Sequence, residues 1–279
     1  METTELEKLE VNLLLEAVFQ RYGHDFRQYA RASVHRRINN IRNHAGLETV
    51  SELIPRVLHE PLFFKQMLGE MSITVTTMFR DPGLFLYLRD KVLPYLKSYP
   101  SLKIWHAGCA TGQEAYSLSI LLQEENLAKR TVIYATDFND AALDTAKKGI
   151  YDLKDVKDYT KNYQAAGGHR SFSEYYHAEY GAMKLRQCLK APITFANHNL
   201  AIDGVFSETQ LIMCRNVLIY FDKKLQDRAL NLFHESLAEN GFLCLGRRES
   251  IICSPLRKKF VALDEKHRVF QKKTGRQYV

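Results

Sequence analysis

Leu9, Leu13 and Ala17 recur every fourth residue and predict a first helix with one apolar stripe. After Tyr22-Gly23, Val34, Ile38 and Ile41 fall on one face of a second helix. Arg27, Arg31, Arg36, Arg37 and Arg42 fill the rest of that basic stretch, and Gly46 fits the helix stop. Val50, Leu53 and Val57 mark a third short helix, and Leu62 to Leu68 a fourth. The pattern then changes. Met71 to Arg80 (MSITVTTMFR) is β-branched and turn-like, closes on Asp81-Pro82-Gly83, and reads as an extended linker. A helix follows with Leu84, Leu88, Val92 and Tyr95 in period.

From Leu102 the chain alternates strand and helix. Strands are predicted at 102–105, 131–136, 193–196, 211–214 and 242–245, and helices at 115–123, 141–148 and 225–237. A loop spans Gly108 to Gly112. Such alternation implies a mostly parallel sheet covered on both faces. The stretch from Asp152 to Lys190 is rich in Tyr, Lys and Gly and has no clear helical period. It reads as an inserted small antiparallel sheet. The expected organisation is a helical domain over 1–70, a linker over 71–83 that contributes to the active site, and an α/β domain over 84–279 with the insertion at about 152–190.

Composition narrows the classes. The 46% apolar content is ordinary for a globular chain that buries its own core. No apolar run reaches the roughly 18 residues of a membrane span, and the acidic stretch Met1–Glu7 has no apolar segment of a signal peptide. Cys109, Cys188, Cys214, Cys244 and Cys253 are odd in number, scattered and without a CxxC pair, so neither a disulfide framework nor a zinc site is expected. A cytoplasmic setting follows. The net charge of +7 favours an acidic partner, which leaves nucleic acid, anionic lipid and a glutamate-rich protein surface open.

Three clusters carry candidate chemistry. Gly108 and Gly112 lie between a strand and a helix, where glycine permits positive φ and close approach to a nucleotide-like ligand. They also fit a plain βα turn, and the pattern is neither a GxGxxG fingerprint nor a phosphate loop. Asp137 ends the second strand, where a carboxylate can accept both hydroxyls of a ribose; a helix N-cap at Asp137 or Asn139 is the other reading. Arg215 and Asn216 follow an apolar strand, in the position where open α/β sheets place active sites. They suit a cap equally, with Tyr220 packed in the core.

Taken together, GCATGQEAYS, ATDFNDAALDTAKKGIY, NHNL and CRNVLIYF occur in the order and spacing of the chemotaxis receptor methyltransferases, the CheR family. TVTTMFRDP resembles that family's entry into its catalytic domain. The resemblance covers nearly the whole chain. It implies a Rossmann-like S-adenosylmethionine-dependent methyltransferase sheet with an inserted antiparallel β-subdomain and an all-helical N-terminal domain. It also implies residue roles. Arg80 matches the arginine that reaches cofactor and substrate, and Tyr220 the active-site tyrosine. Thr74 and Thr76 match cofactor-contacting positions, Thr74 standing where some members have asparagine. Glu114 matches the acidic residue that holds the methionine amino group, and Asp137 the ribose-binding aspartate. Asn199 and Leu200 match the pair beside the adenine, and Arg215 and Asn216 the polar pair after the fourth strand. The chain departs from many members at Arg247-Arg248-Glu249-Ser250, where His-Ser-Glu-Ser is common. Gly167-Gly168-His169-Arg170 only loosely matches the glycine motif of members that dock on a receptor C-terminal peptide.

The implied reaction is esterification of glutamate side chains on the cytoplasmic helical region of a chemoreceptor or receptor-like sensor. A free glutamate has a pKa of about 4.3, so the nucleophile is already ionised and no base or metal is expected. Arg31, Arg36, Arg37 and Arg42 are expected on the solvent side of their helix, as a dock for an acidic substrate helix or as a solvated face. Two rivals share the fold and charge. One is a nucleic-acid methyltransferase, although the fourth strand ends in Cys-Arg-Asn-Val rather than Asp/Asn-Pro-Pro-Tyr/Phe. The other is a non-catalytic module that keeps the cofactor fold.

Overall fold

The structure, a computed structural model, describes residues 5–72 and 74–274. Met1–Thr4 of the acidic leading stretch, Ile73 of the 71–83 segment and residues 275–279 lie outside them. Two compact units form. One holds the N-terminal helices with Leu200–Asp203 and Leu218–Ala229; the other holds Thr74–Asn199, Gly204–Val217 and the chain from Leu230.

The first unit contains α1 (Glu5–Tyr22), α2 (Arg31–His44), α3 (Leu53–His59) and α4 (Pro61–Met71). In α1 the buried residues are Val11, Leu14, Leu15 and Val18, whereas Leu9 and Leu13 are about half exposed. The expected stripe is therefore the wrong one. Positions 11, 14, 15 and 18 form a full apolar arc, while Leu9 and Leu13 have Asn12 and Glu16 three residues on. In α2, Val34, Ile38 and Ile41 are buried as expected, but so is Arg37, at 7% exposure. Arg37 lies three residues after Val34 and four before Ile41, inside the apolar arc. Its Nη1 donates to the Met71 carbonyl, one of the acceptors that a helix C-terminus leaves free, and its guanidinium lies 5.0 Å from the centre of the Tyr220 ring. Burial lowers its pKa. Residues 28–30 pair with 220–222, through Ala30 N–H to the Tyr220 carbonyl and Asp222 N–H to the Gln28 carbonyl, both 2.8 Å.

The second unit opens with α5 (Pro82–Tyr87) and α6 (Leu93–Leu96), joined by a π-turn at Leu88–Val92. Leu84, Leu88 and Val92 are buried, but Tyr95 is 41% exposed. The wide turn shifts the helical phase, so Leu93 and Leu96 take the inward positions instead. Then come β1 (Leu102–Ala107), α7 (Gln113–Glu124), β2 (Thr131–Asp137), α8 (Asp140–Lys148), β3 (Ile150–Asp152), α9 (Val156–Ala165), β4 (Tyr176–Glu179), β5 (Ala182–Leu185), α10 (Gln187–Lys190), β6 (Ile193–Asn197), β7 (Thr209–Cys214), α11 (Lys223–Ser236, of which the part up to Ala229 belongs to the first unit), β8 (Leu237–Leu245), β9 (Phe260–Asp264) and β10 (Val269–Lys272). Seven strands order as β6-β2-β1-β7-β8-β10-β9. The first five are mutually parallel, and β10 runs antiparallel to both β8 and β9.

This is the expected Rossmann-like methyltransferase sheet. The insertion is the expected antiparallel sheet, ordered β3-β5-β4, but it also contains α9. That helix was missed because its inward face is built from Tyr159 and Tyr163 amid charged residues. Among the described residues no helix is long and apolar enough to cross a membrane.

Candidate active site

Next to the carboxyl ends of β1, β2 and β7 lie the buried charged or ionisable side chains His106, Glu114, Asp137 and Arg215. After β1 the chain reverses through Gly108 (φ 73°), Ala110 (φ 48°) and Gly112 (φ 91°). The Thr136 carbonyl accepts from the Gly108 and Cys109 amides at 2.8 and 2.9 Å. A Cβ on Gly108 would lie 2.4 Å from Val217 Cγ2, and one on Gly112 2.8 Å from Ala146 Cβ. The two glycines therefore serve the left-handed turn and the protein's own packing.

Asp137 receives this loop. Its Oδ2 accepts from the Ala110 amide at 2.9 Å and its Oδ1 from the Asn139 amide at 3.0 Å. Asn139, not Asp137, caps α8, accepting from the Ala141 and Ala142 amides. Asp137 is thus held rigidly by backbone donors, and each of its oxygens keeps further acceptor capacity. Burial raises its pKa despite those donors. We expect Asp137→Ala to raise the dissociation constant for S-adenosylmethionine about 10- to 100-fold, the loss of one charge-assisted contact. Only the anion accepts two hydroxyls, so affinity should also fall on acidification at a higher pH than an ordinary aspartate would give. An unchanged constant by calorimetry removes Asp137 from the site.

A second group forms around Arg215. Its Nη1 donates to Glu114 and, at 3.0 Å, to the Arg80 carbonyl, and its Nη2 donates to Asp81. Glu114 also meets His106 Nε2 at 3.1 Å. Burial acts to raise the Glu114 pKa, but Arg215 and His106 outweigh it, and the carboxyl lies below its ordinary value. The Arg80 side chain is half-buried, and its Nη1 reaches the Val75 carbonyl at only 3.5 Å. Asn216 has φ 60°. Its amide and that of Val217 donate to Glu249 at 3.0 and 2.7 Å, and the Gly246 amide donates to the same carboxylate.

The structure therefore brings Arg80, Glu114 and Arg215 together and sets Asp137, at the end of β2, against the adjoining loop. Thr74 and Thr76 are half-buried in the segment before Arg80, and Asn199 is buried after β6. Leu200 and Tyr220 fall in the unit of the N-terminal helices. Asp81, His106 and Glu249 were missed by sequence reasoning. A polar His106 ending an apolar strand was a usable signal; Asp81 looked like turn punctuation only. Asn216 Oδ1, Arg215 Nε and His106 Nδ1 are buried without a hydrogen-bond partner. Unmet polar atoms at a sheet edge suit a polar ligand such as the methionine and ribose portions of S-adenosylmethionine.

Comparison with known proteins agrees. The family described as "CheR methyltransferase, SAM binding domain" matches residues 74–267, and "CheR methyltransferase, all-alpha domain" matches 9–72. The Pseudomonas putida protein Cher3 is 52% identical over 264 residues, covering 95% of this chain and 97% of its own. Chemotaxis protein methyltransferase 1 of Pseudomonas aeruginosa is 30% identical, over 77% of this chain and 80% of its own. Chemotaxis protein methyltransferase Cher2 of Pseudomonas putida is 29% identical over the same shares. The sheet, the loop that it holds and these matches lead to one conclusion: the chain belongs to the CheR family of S-adenosylmethionine-dependent chemotaxis methyltransferases.

Proposed function

We propose that this protein methylates glutamate side-chain carboxylates on the cytoplasmic helical region of a chemoreceptor or receptor-like sensor, giving methyl esters, and that it works in the cytoplasm. The observation that carries this reading is Arg80. It is a half-buried cation whose Nη1 makes a long 3.5 Å contact with the Val75 carbonyl and which acts electrostatically on Glu114, on a backbone that Arg215 holds at the sheet edge. S-adenosylmethionine supplies an electrophilic methyl group on a sulfonium. Arg80 orients the substrate carboxylate by charge-assisted hydrogen bonds. Tyr220 is proposed as a second donor through its hydroxyl. An ionised carboxylate would take the methyl group directly, with the carbon–sulfur bonding pair left on sulfur, so no base is needed. Asp137 would hold the ribose and Glu114 would attract the methionine ammonium. Thr74, Thr76, Asn199, Leu200, Arg215 and Asn216 complete the proposed cofactor contacts.

The test is transfer of labelled methyl from S-adenosylmethionine to the cytoplasmic domains of chemoreceptors from the same source. Methyl esters release labelled methanol in mild base, whereas methylated nucleobases keep their label. Base-stable label, label on nucleic acid, or no transfer with any receptor would sink the proposal.

The helical domain is proposed to dock the substrate through α2. Arg31 and Arg36 are its exposed arginines, and Arg37 is not available. Arg31→Glu with Arg36→Glu should raise KM for the receptor about tenfold at low salt and leave S-adenosylmethionine affinity unchanged. The effect should fade toward 1 M salt, where screening acts within about 3 Å. An unchanged KM at low salt would make α2 a solvated face only.

A further inference from the structure

Arg80 stands between two non-glycine residues with left-handed backbones, Phe79 (φ 51°) and Asp81 (φ 57°). Side-chain-bearing residues keep such conformations only where their surroundings enforce them. Phe79 is enforced by the core. It is fully buried, packs edge-on against Phe85 and Tyr163, and its amide donates to Ser117 Oγ at 2.8 Å.

Asp81 is enforced by charge. It directly precedes α5, where an aspartate ordinarily caps the helix, yet its side chain makes no capping bond. Its carboxylate instead joins two arginines. Oδ2 accepts from Arg215 on the buried side, and Oδ1 lies 2.9 Å from Arg247 Nε on the solvent side. Arg215 closes the ring by donating to the Arg80 carbonyl and to Glu114. Both terminal nitrogens of Arg215 are thereby committed to holding the turn.

We propose that Asp81 is the positioning residue of Arg80. The Arg215–Asp81–Arg247 bridge fixes the left-handed turn that presents the Arg80 guanidinium and so sets turnover through Arg80. This rests on the reading of Arg80 as the group that orients the substrate. It also gives the exposed Arg247 a role, as the solvent-side half of the bridge.

The experiment compares wild type, Asp81→Asn, Arg247→Ala and the double variant, each as the full chain with S-adenosylmethionine. Labelled methyl transfer to a receptor cytoplasmic domain gives kcat and KM, and hydrogen exchange reads the amides of residues 78–84. For Asp81→Asn, kcat should fall about tenfold while KM for S-adenosylmethionine changes less than about threefold. The 78–84 amides should exchange faster, with the rest of the second unit unchanged. Arg247→Ala should show the same pattern at about threefold, and the double variant should be no slower than Asp81→Asn alone, since both act through one bridge. Wild-type kcat in Asp81→Asn overturns the proposal, as does a lowered kcat with unchanged exchange. A wild-type enzyme inactive on every receptor would sink the proposed function instead; the exchange comparison would still decide whether the bridge holds the turn.

Discussion

Arg80→Ala is expected to lower kcat for methyl transfer by about a hundredfold or more and to leave the fold in place. The scale is that of losing the in-line positioning of a reacting group, where a misplacement of about 1 Å costs about a hundredfold. The fold should survive because the one hydrogen bond of the Arg80 side chain among the described residues is the long Val75 contact, while its neighbours Phe79 and Asp81 carry the anchoring. Melting temperature should therefore match wild type. Arg80→Lys keeps the charge but loses the planar fork, so it should recover only part of the rate. Steady-state assays with labelled S-adenosylmethionine read this directly. A variant that turns over at the wild-type rate would remove Arg80 from the reaction and with it the mechanism proposed above.

Glu124→Ala should destabilise the protein by on the order of 3 kcal/mol, one of the largest stability losses available to a single side chain here. Glu124 ends α7, and its side chain is 2% exposed. It pairs with Arg89 at 2.6 Å, accepts from the hydroxyls of Tyr163 and Tyr175, and accepts the His169 amide at 3.1 Å. Removal takes the carboxylate acceptor from two tyrosine hydroxyls and one of two ion-pair partners, among the described residues, from the buried Arg89, which keeps Glu125. The Tm should fall by roughly 5–10 °C. Burial tends to raise the Glu124 pKa, but Tyr163, Arg89 and Tyr175 outweigh it, so it lies below the ordinary 4.5. A depressed folded pKa means that this stabilisation is present above about pH 4.5 and is lost as pH falls through the folded value. Calorimetry against pH checks both statements, and a Tm within 2 °C of wild type at pH 7 would refute the first.

Legibility followed how local each signal was. The apolar runs of β1, β2 and β7 and the cap of α8 at Gly149 stand in the sequence, because the inward strands of a parallel sheet are apolar throughout. The candidate site was legible only as motifs. Nothing local told that Arg215 spends its donors on Asp81 and Glu114, since those partners come from distant parts of the chain. Arg37 was misplaced because charge was weighed above helical phase. The true stripe of α1 was missed because two apolar series interleave there. β9 and β10 escaped because short strands mixed with charged residues resemble loops.

The pairing of residues 28–30 with 220–222 bears on synthesis. A nascent chain that has released its first four helices still lacks the strand-like segment against which Tyr29 packs, with Tyr29 and Phe221 ring centres 5.0 Å apart. At ribosomal speeds of about 5–20 residues per second that segment follows on the order of ten seconds later. The whole parallel sheet except β8 is made in the interval. A fragment cut after Met71 would therefore be missing a piece of its own core, and excising the helical domain for study requires splicing residues 218–229 back onto it.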